Sequence, residues 1–341
     1  MGVKVGLIGA GGITRPHLAA FVRHTGVDRV AVADPSQQAR AGLMAEFGII
    51  REQYDDYRAL LEDDSVSIID ICTPHYLHVT QAVDALRAGK DVIIEKPLAM
   101  SVRECDEMIA AAQESGRRLL CALCMRRFPA HIKAKKLLDE GAVGKPLMGM
   151  VTVIGNEFAR MNDPENWKGD WEKAGGGAMF DTGYHAVYML QHFFGPTKAV
   201  TMTGTRLLVE PENKADDTSV VALEMESGVL CSIVVTYVAI GDRWSEERRL
   251  LGTEGSLLIR DDPEDELPLL LLQGGDYRPI RVRNAPGVAR FAIRELVSEF
   301  VDCLLTGGET DVTLAESRAA VATCCAAYES WRTGRRVEIA G

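Results

Sequence analysis

The N-terminal third of the chain alternates short, continuously apolar runs with stretches of helical periodicity. The apolar runs predict strands over residues 3–8, 30–33, 67–72, 91–94 and 118–123, and the periodic stretches predict helices over 14–23, 76–88 and 102–115. Strands that are apolar on both faces and separated by helices indicate a parallel sheet covered on both sides. We therefore predict a doubly wound, nucleotide-binding domain over residues 1–122.

The pattern changes after residue 122. Helices are predicted over 130–140, 178–194, 289–305 and 314–332, and a strand over 145–156. Residues 198–282 predict several consecutive strands, which without intervening helices indicate a mostly antiparallel sheet. The predicted fold class is thus α/β: an N-terminal Rossmann doubly wound parallel sheet plus, over 123–341, a C-terminal α/β domain with a large, mostly antiparallel open sheet.

Two stretches of this second domain predict which of its surfaces contact protein and which contact water. The strands over 228–238 and 267–272 are too apolar to face water, so we predict a homodimer or homotetramer formed through the open face of the sheet. The acidic run over 261–266 predicts a solvated loop.

Composition narrows the class of protein. The 341 residues carry a formal net charge of −11, which argues against nucleic-acid and acidic-membrane partners because both need a basic surface. The chain enters a strand at once and has no apolar run of membrane-spanning length, so we predict a cytoplasmic protein. The eight cysteines are expected to be reduced and buried, including Cys121 and Cys124. The seven histidines form no set with metal-ligand spacing, so no metal site is predicted.

A glycine-rich loop joins the first strand to the first helix. Gly9 permits a tight turn, and Gly11, Gly12 and Ile13 bring backbone N–H groups towards a pyrophosphate at the helix N-terminus. Thr14 stands where the dinucleotide fingerprint has its third glycine or alanine, which should loosen the packing of helix on strand but leave the phosphate contacts intact.

An acid at the end of the second strand indicates which dinucleotide binds. Asp34 is placed to accept both ribose hydroxyls and to repel a 2′-phosphate. The predicted cofactor is therefore NAD, with NADP less favoured.

Two more loops leave strands at the same predicted edge of the sheet, where ligands of such folds bind. After the strand over 67–72 come three candidate cofactor-binding residues and, one helical turn later, a fourth: Thr73, Pro74, His75 and His78. Each histidine would line the cofactor or, nearly as readily, be a capped and solvated side chain.

The second of these loops is Glu95-Lys96-Pro97, after the strand over 91–94. Glu95 and Lys96 are candidate cofactor-binding residues. A lysine after a strand is usually a surface residue, but here its ammonium would emerge beside the nicotinamide, where it would stabilise negative charge on a substrate oxygen. The sequence leaves open whether the Lys96–Pro97 bond is cis.

A second group of candidates follows a glycine run in the C-terminal domain. Gly175, Gly176 and Gly177 lack side chains and would allow another group to approach closely. Asp181 and His185 are four residues apart, hence neighbours on one face of the predicted helix. The carboxylate would fix the tautomer of the imidazole, whose ordinary pKa suits a general base. A surface Asp–His pair would have the same spacing, but the glycine run favours catalysis.

Together these motifs resemble the Gfo/Idh/MocA oxidoreductase family, and the resemblance extends over nearly the whole chain. It is carried by the glycine loop, Cys72-Thr73-Pro74, Glu95-Lys96-Pro97, Met125-Arg126-Arg127-Phe128-Pro129, the stretch from Trp167 to His185, and Gly252-Thr253-Glu254-Gly255-Ser256. The resemblance implies hydride transfer between a nicotinamide cofactor and a carbinol or carbonyl carbon of a sugar, cyclitol or related polyol. It also implies that the open sheet serves oligomerisation.

The resemblance assigns roles by position. Lys96 would contact substrate and cofactor, His185 would be the acid/base and Asp181 its partner. Further substrate-binding residues would be Arg127, Trp167 and Tyr184. Two positions depart from the family pattern: Tyr188 stands where many relatives have an acid, and His75 where many have asparagine.

Two other functions remain open. A catalytically silent NAD-binding sensor or partner protein would need none of Lys96, Asp181 and His185. A lyase or hydrolase that uses tightly held NAD transiently occurs on the same scaffold, by resemblance.

Overall fold

The computed structural model describes residues 2–208, 215–261, 267–282 and 287–339. The chain divides into two compact units. Unit 1 comprises Met1–Cys124 and Ala289–Arg318, and unit 2 comprises Met125–Val288 and Ala319–Gly341. Among the described residues, no helix has both the length and the apolar composition that a membrane crossing requires.

Unit 1 is built on a six-stranded parallel sheet with the strand order β3-β2-β1-β4-β5-β6. Its strands are β1 (Val3–Ile8), β2 (Val27–Ala33), β3 (Ile50–Tyr54), β4 (Val66–Ile71), β5 (Asp91–Ile94) and β6 (Leu119–Cys121). Its helices are α1 (Thr14–Arg23), α2 (Gln37–Glu46), α3 (Tyr57–Leu61), α4 (His78–Arg87) and α5 (Val102–Ser115), with a 3₁₀ turn at His75–Leu77. The 3₁₀ turn Cys124–Arg127 begins at the last residue of this segment and continues into unit 2. This is the doubly wound order in which ligands bind at the carboxyl ends of the strands.

Local signals explain the limits of these helices. At α5 the Ser101 hydroxyl accepts the N–H of Glu104, while the Glu104 carboxylate accepts the N–H of Met100. This arrangement resembles a capping box, with the backbone donor one residue before the N-cap Ser101. The helix ends at Gly116, which has a φ of +64°, a conformation that favours glycine.

A returning segment of the chain completes unit 1, which differs from the predicted second domain over 123–341. Residues 289–318, which hold most of α11 (Val288–Thr306), belong to unit 1. The side chain of Arg118 donates to the carbonyl oxygen of Cys303 over 2.6 Å, and Arg318 pairs with Asp106 at 3.0 Å. Contacts that join positions so far apart in the chain have no local sequence signal, so a boundary drawn by pattern could not include them.

Unit 2 is built on a mostly antiparallel sheet. Its strands are β7 (Pro146–Ile154), β8 (Thr197–Thr205), β9 (Thr218–Met225), β10 (Leu230–Thr236), β11 (Ser245–Gly252), β12 (Ser256–Arg260), β13 (Leu269–Gln273), β14 (Asp276–Pro279) and β15 (Val337–Glu338). Its helices are α6 (Pro129–Asp139), α7 (Phe158–Met161), α8 (Trp171–Ala174), α9 (Ala178–Asp181), α10 (Gly183–Phe194) and most of α12 (Leu314–Thr333), with a 3₁₀ turn at Trp167–Gly169.

The described strands form a nine-stranded sheet in the order β14-β13-β12-β11-β7-β10-β9-β8-β15. All neighbours are antiparallel except β7 and β10, which pair in parallel. Side chains alternate between buried and exposed along the central strands, so one face packs on the core of the unit. The other face exposes apolar side chains, among them Met150 (38 %), Val220 (53 %), Leu230 (56 %) and Val234 (37 %).

The predicted fold class is confirmed, while some details were wrong. The segment α2-β3-α3 was not predicted, because β3 is an edge strand whose polar residues are mostly exposed and α2 buries only Arg40 and Leu43. The helix predicted over 178–194 is interrupted at Thr182, which separates α9 from α10.

The acidic run predicted to be solvated has a buried side chain at its first residue, Asp261. Asp261 forms ion pairs with Arg248 and with His131, the latter at 3.1 Å. Burial raises the pKa of Asp261, but the charges of His131 and Arg248 outweigh burial and lower the pKa to about 2. The rest of the run, 262–266, lies outside the described residues.

The cysteines are all free thiols, as predicted, and all are buried except Cys325, which is half-buried. Burial raises the pKa of Cys124 to about 12, and it raises that of Cys121 still further. Thiols held neutral in this way are poor nucleophiles.

Candidate active site

The parallel pairing of unit 1 brings four loops to one edge of its sheet. β1, β2, β4 and β5 run in the same direction in adjacent or neighbouring positions, so their carboxyl ends lie together. The glycine loop follows β1, Asp34 follows β2, Thr73 and Pro74 follow β4, and Glu95 and Lys96 follow β5. These residues were predicted at this edge, and unit 1 brings them together there.

The glycine loop has the geometry of an anion-binding turn. Gly9 has a φ of +99°, and a Cβ on it would lie 2.6 Å from the carbonyl oxygen of Cys72. A Cβ on Gly11 or Gly12 would meet nothing within 4 Å, so the backbone there is open to a ligand. Thr14 is fully buried and its hydroxyl donates to Gly9 O over 3.1 Å. The expected loosening at Thr14 is therefore offset by a hydrogen bond that ties the loop to α1.

Asp34 is held towards the glycine loop. Its Oδ2 accepts the N–H of Ala10 and its Oδ1 accepts the N–H of Ser36, each over 2.8 Å. The side chain remains partly exposed. A carboxylate fixed in this way at the end of β2 is where the dinucleotide fingerprint places the acceptor for ribose hydroxyls.

The loop after β4 is buried more deeply than the sequence suggested. The Thr73 hydroxyl donates to Gln81 over 2.6 Å. His75 is 5 % exposed, and its ring centroid lies 5.8 Å from that of His78. The His78 nitrogens lie 2.9 Å from Pro97 O and 3.0 Å from Thr73 O, and burial lowers its pKa. His78 thus tethers two edge loops to each other, and a contact of either histidine with cofactor stays a prediction.

Glu95 and Lys96 leave β5 under tight backbone control. The N–H of Glu95 donates to Ile71 O over 3.0 Å, and the Glu95 side chain accepts the N–H of Lys96 over 3.1 Å. The Lys96–Pro97 peptide bond is cis. Glu95 is buried, whereas Lys96 is half-buried.

Behind this turn lies a buried histidine that the sequence analysis did not select. His17 on α1 is in hydrogen-bond contact with Asp70 and with Glu95. His17, Asp70 and Cys72 also bring potential metal-ligand atoms within 4.8 Å of one another. Spacing could not reveal this cluster, because His17 and Asp70 are 53 residues apart. The two carboxylates engage both ring nitrogens, which accounts for the cluster as a hydrogen-bonded network.

In unit 2 the glycine run packs against a buried carboxylate. A Cβ on Gly177 would lie 1.9 Å from Asp216 O, and one on Gly176 would lie 2.2 Å from the Tyr328 hydroxyl. Asp216 accepts the N–H groups of Gly177 and Met179 over 2.9 and 3.0 Å. Part of the close approach predicted for these glycines is therefore made by the protein itself, at the start of α9.

Asp181, at the end of α9, has two partners that spacing did not reveal. Its Oδ2 accepts from Lys168 Nζ over 2.6 Å and from the Tyr237 hydroxyl over 2.9 Å. The Tyr237 hydroxyl also contacts that of Thr182, the residue at which the predicted helix breaks. The expected Asp181–His185 hydrogen bond was derived from an unbroken helix and stays a prediction.

His185 lies on the first turn of α10 beside two tyrosines. Its Nδ1 lies 2.9 Å from the Tyr188 hydroxyl, which also accepts the N–H of Met125 over 3.1 Å. Tyr188 occupies the position where many relatives were expected to have an acid, and here a phenol makes the contact. Tyr184 is fully buried with its ring centroid 5.7 Å from that of Tyr188.

Two of the candidate substrate-binding residues lie in short 3₁₀ turns. Arg127 ends the 3₁₀ turn Cys124–Arg127 and is half-buried. Trp167 begins another 3₁₀ turn, and the ammonium of Lys168 lies 6.0 Å from the centre of its ring. Substrate binding by Arg127, Trp167 and Tyr184 stays a prediction.

The open backbone at Gly11 and Gly12 together with the fixed Asp34 carboxylate fits a dinucleotide: N–H groups for the pyrophosphate and an acceptor for the ribose. Fold and site thus define a dinucleotide-binding protein. Residues 3–123 match the model of an oxidoreductase family with an NAD-binding Rossmann fold, and residues 131–258 match the GFO/IDH/MocA C-terminal domain. The chain belongs to the Gfo/Idh/MocA family.

Named relatives are dehydrogenases and reductases. Levoglucosan dehydrogenase of Pseudarthrobacter phenanthrenivorans is 28 % identical over 78 % of this chain and 75 % of its own. The 1,5-anhydro-D-fructose reductase of Ensifer adhaerens is 26 % identical over 98 % of both chains. Inositol 2-dehydrogenase of Salmonella typhimurium is 34 % identical over 48 % of each chain.

Solved structures agree on the fold. Levoglucosan dehydrogenase in complex with NADH and levoglucosan superposes with a TM-score of 0.90 over 100 % of both chains, at 24 % identity. The predicted family, the NAD cofactor and the assignment as an oxidoreductase acting on CH–OH groups are confirmed.

Proposed function

We propose that the protein transfers a hydride between NAD and a carbinol or carbonyl carbon of a cyclic sugar or polyol, with Lys96, Asp181 and His185 as its catalytic residues. The strongest support is the position of Lys96 in the loop after β5. This loop lies at the sheet edge that also holds the glycine loop and Asp34. The substrate class follows from relatives that act on levoglucosan, 1,5-anhydro-D-fructose and inositol.

His185 is the proposed acid/base. In the oxidation direction it takes the proton of the substrate hydroxyl. NAD held by the glycine loop and Asp34 would supply the acceptor for the carbinol hydrogen, which leaves as hydride. If Nδ1 donates its hydrogen to Tyr188 Oη, Nε2 keeps a lone pair for the substrate proton. A phenol oxygen has two lone pairs, enough to accept from both Met125 N–H and His185.

Asp181 and Lys96 supply the charges. The Asp181 carboxylate, anchored by Lys168 and Tyr237, favours the imidazolium form of His185 as the proton arrives. The Lys96 ammonium stabilises the alkoxide as the hydroxyl proton leaves, which is the charge that develops in the transition state.

The test is an absorbance screen at the NADH band with NAD and with NADP. Levoglucosan, 1,5-anhydrohexitols, inositols and aldoses form the panel. Lys96→Ala and His185→Ala are each expected to abolish turnover while NAD binding survives. His192→Ala is the matched control, since it removes a second imidazole from α10 and should leave turnover unchanged. Near-full activity of His185→Ala would show that the base assignment is wrong.

The same screen separates the other functions. NAD binding without NADH formation across the whole panel would favour a sensor or partner protein. Cofactor that co-purifies with the protein and never exchanges would favour a lyase or hydrolase.

The exposed apolar face of the unit 2 sheet supports a homodimer or homotetramer. Val220 and Val234 are opposite each other on adjacent strands and are 53 % and 37 % exposed. Val234→Arg should therefore shift the protein to monomer in sedimentation velocity. A species unchanged in mass would contradict this interface. We also propose a cytoplasmic location, which the free thiols support.

A further inference from the structure

The buried side chains of His17, Asp70 and Glu95 join three elements of unit 1 behind the Lys96 turn. Their side chains are 0 %, 0 % and 9 % exposed. His17 Nδ1 lies 2.9 Å from Asp70 Oδ2, and His17 Nε2 lies 2.9 Å from Glu95 Oε1. The ring is thus enclosed by carboxylates at both nitrogens.

The two contacts limit how hydrogens can be distributed among His17, Asp70 and Glu95. Carboxylates only accept hydrogen bonds, and a neutral imidazole has a single N–H. Two contacts of this length therefore need hydrogens on both nitrogens, or a proton on one carboxyl group. An imidazolium that donates from both ring nitrogens satisfies these two contacts, and its positive charge offsets the cost of burying carboxylates beside it.

The surrounding groups are consistent with that charge. Burial lowers the pKa of His17, but the charge of Asp70 raises it, and the result lies well above 6.5. The thiols of Cys72 and Cys124 have pKa values raised to about 12 by burial, so they stay neutral. Lys96 directly follows Glu95, the last of these three residues, in the chain.

The network reaches Lys96 through the second oxygen of Glu95. Glu95 Oε1 faces His17, while Glu95 Oε2 accepts the backbone N–H of Lys96 over 3.1 Å. Because His17 holds one oxygen of the Glu95 carboxylate, the position of the other oxygen is fixed as well. The orientation of the imidazole is in this way passed on to the backbone of Lys96.

We propose that His17 is a positioning residue for catalysis: acting through Glu95, it fixes the backbone of Lys96 at the carboxyl edge of the sheet. The catalytic consequence rests on the proposed role of Lys96. Without the imidazole, Glu95 Oε1 loses the partner that holds it, the carboxylate can rotate, and the hydrogen bond from Lys96 N–H to Oε2 weakens.

Two substitutions separate the halves of the network. His17→Gln places an amide N–H close to where Nε2 lies and keeps a donor to Glu95. His17→Asn places one close to where Nδ1 lies and keeps a donor to Asp70 only. Both remove the ring and its charge, so they are matched controls for each other. Glu95→Gln and Glu95→Ala form a second pair, because only the glutamine retains an oxygen for Lys96.

The first measurement needs no substrate. Amide hydrogen exchange of residue 96 is expected to accelerate about tenfold or more in His17→Asn and Glu95→Ala, and much less in His17→Gln and Glu95→Gln. Exchange at Ile69, inside β4, serves as the reference. Equal acceleration at residues 96 and 69 would mean general loosening of the unit and would overturn the proposal, as would unchanged exchange in all four variants. Stoichiometric zinc that is lost in His17→Asn would overturn it in favour of a metal site.

The second measurement is turnover with a substrate from the panel. kcat should fall about 100-fold in His17→Asn, the size of effect expected for a small misplacement of a catalytic group, and His17→Gln should recover most of it. KM for NAD should change little, and an NAD affinity that falls as far as kcat would overturn the proposal. If exchange separates the variants while kcat does not, positioning of the backbone stands and the role proposed for Lys96 fails.

Discussion

Replacing Tyr237 by phenylalanine removes one hydroxyl from the network that holds Asp181. The side chain is 2 % exposed, and its hydroxyl donates to Asp181 Oδ2 over 2.9 Å. Burial, reinforced by the charge of Asp181, raises the pKa of Tyr237 well above 10, so the hydroxyl keeps its hydrogen at any working pH. The substitution therefore deletes a donor to the Asp181 carboxylate together with the contact of this hydroxyl with Thr182.

A hydrogen bond to a charged group contributes about 1.5–3 kcal/mol to stability. We expect Tyr237→Phe to lower the free energy of unfolding by about that amount, with Lys168 still paired to Asp181. If the whole of this energy served the transition state, kcat/KM would fall about 10- to 150-fold, since 1.36 kcal/mol corresponds to a factor of ten.

Tyr57→Phe is the matched control. The Tyr57 hydroxyl donates to Asp84 over 2.7 Å in unit 1, and neither residue is among the proposed site residues, so its loss should lower the melting temperature without changing kcat/KM. The assay is initial-rate NADH formation together with thermal unfolding of both variants. Unchanged kcat/KM in Tyr237→Phe, beside the expected loss of stability, would refute the role of this hydroxyl in orienting Asp181.

Three further predictions concern the cofactor and acid stability. Gly11→Ala adds a Cβ in open space, so thermal stability should hold while the Kd for NAD rises about tenfold, and unchanged affinity would count against the phosphate-loop assignment. Asp34→Ala should relax the preference for NAD over NADP, as measured by the ratio of the two kcat/KM values. Asp261, with a pKa lowered to about 2, stabilises the fold above its unfolded pKa of 3.8. Its contribution should disappear as pH falls from about 4 through 2, so the stability difference between the wild type and Asp261→Asn should shrink over that range.

The fold of unit 1 was predictable because its signals are local. Each central strand is mostly apolar, and Gly9, Asp34 and Glu95 each directly follow a strand. Parallel topology then brings the glycine loop, Asp34 and Lys96 to one edge without any knowledge of tertiary contacts. The edge strand β3 was missed because an exposed strand loses the apolar signature on which the prediction depended.

The site in unit 2 was predictable in its residue types and not in its contacts. Asp181 and His185 were selected, but the partners of Asp181 include Tyr237, 56 residues away. Likewise Asp216, which anchors the glycine run, lies 39 residues from Gly177. Hydrogen bonds between such distant positions leave no periodicity in the sequence. His17 was overlooked for the same reason, although a histidine inside the first helix of a dinucleotide fold is a polar residue that burial would oblige to find partners.

The composition of unit 1 from two chain segments also bears on its biosynthesis. During synthesis the N-terminal 124 residues emerge from the ribosome long before residues 289–318 are made. Domains generally fold as units in the order of their synthesis. Until the second segment arrives, Arg118 lacks the carbonyl of Cys303 and Asp106 lacks Arg318. Unit 1 is therefore incomplete until the whole 125–288 stretch and the segment after it have been synthesised. A fragment cut at residue 124 would carry that incompleteness permanently, whereas a circular permutant that begins at residue 289 would supply the missing helix first.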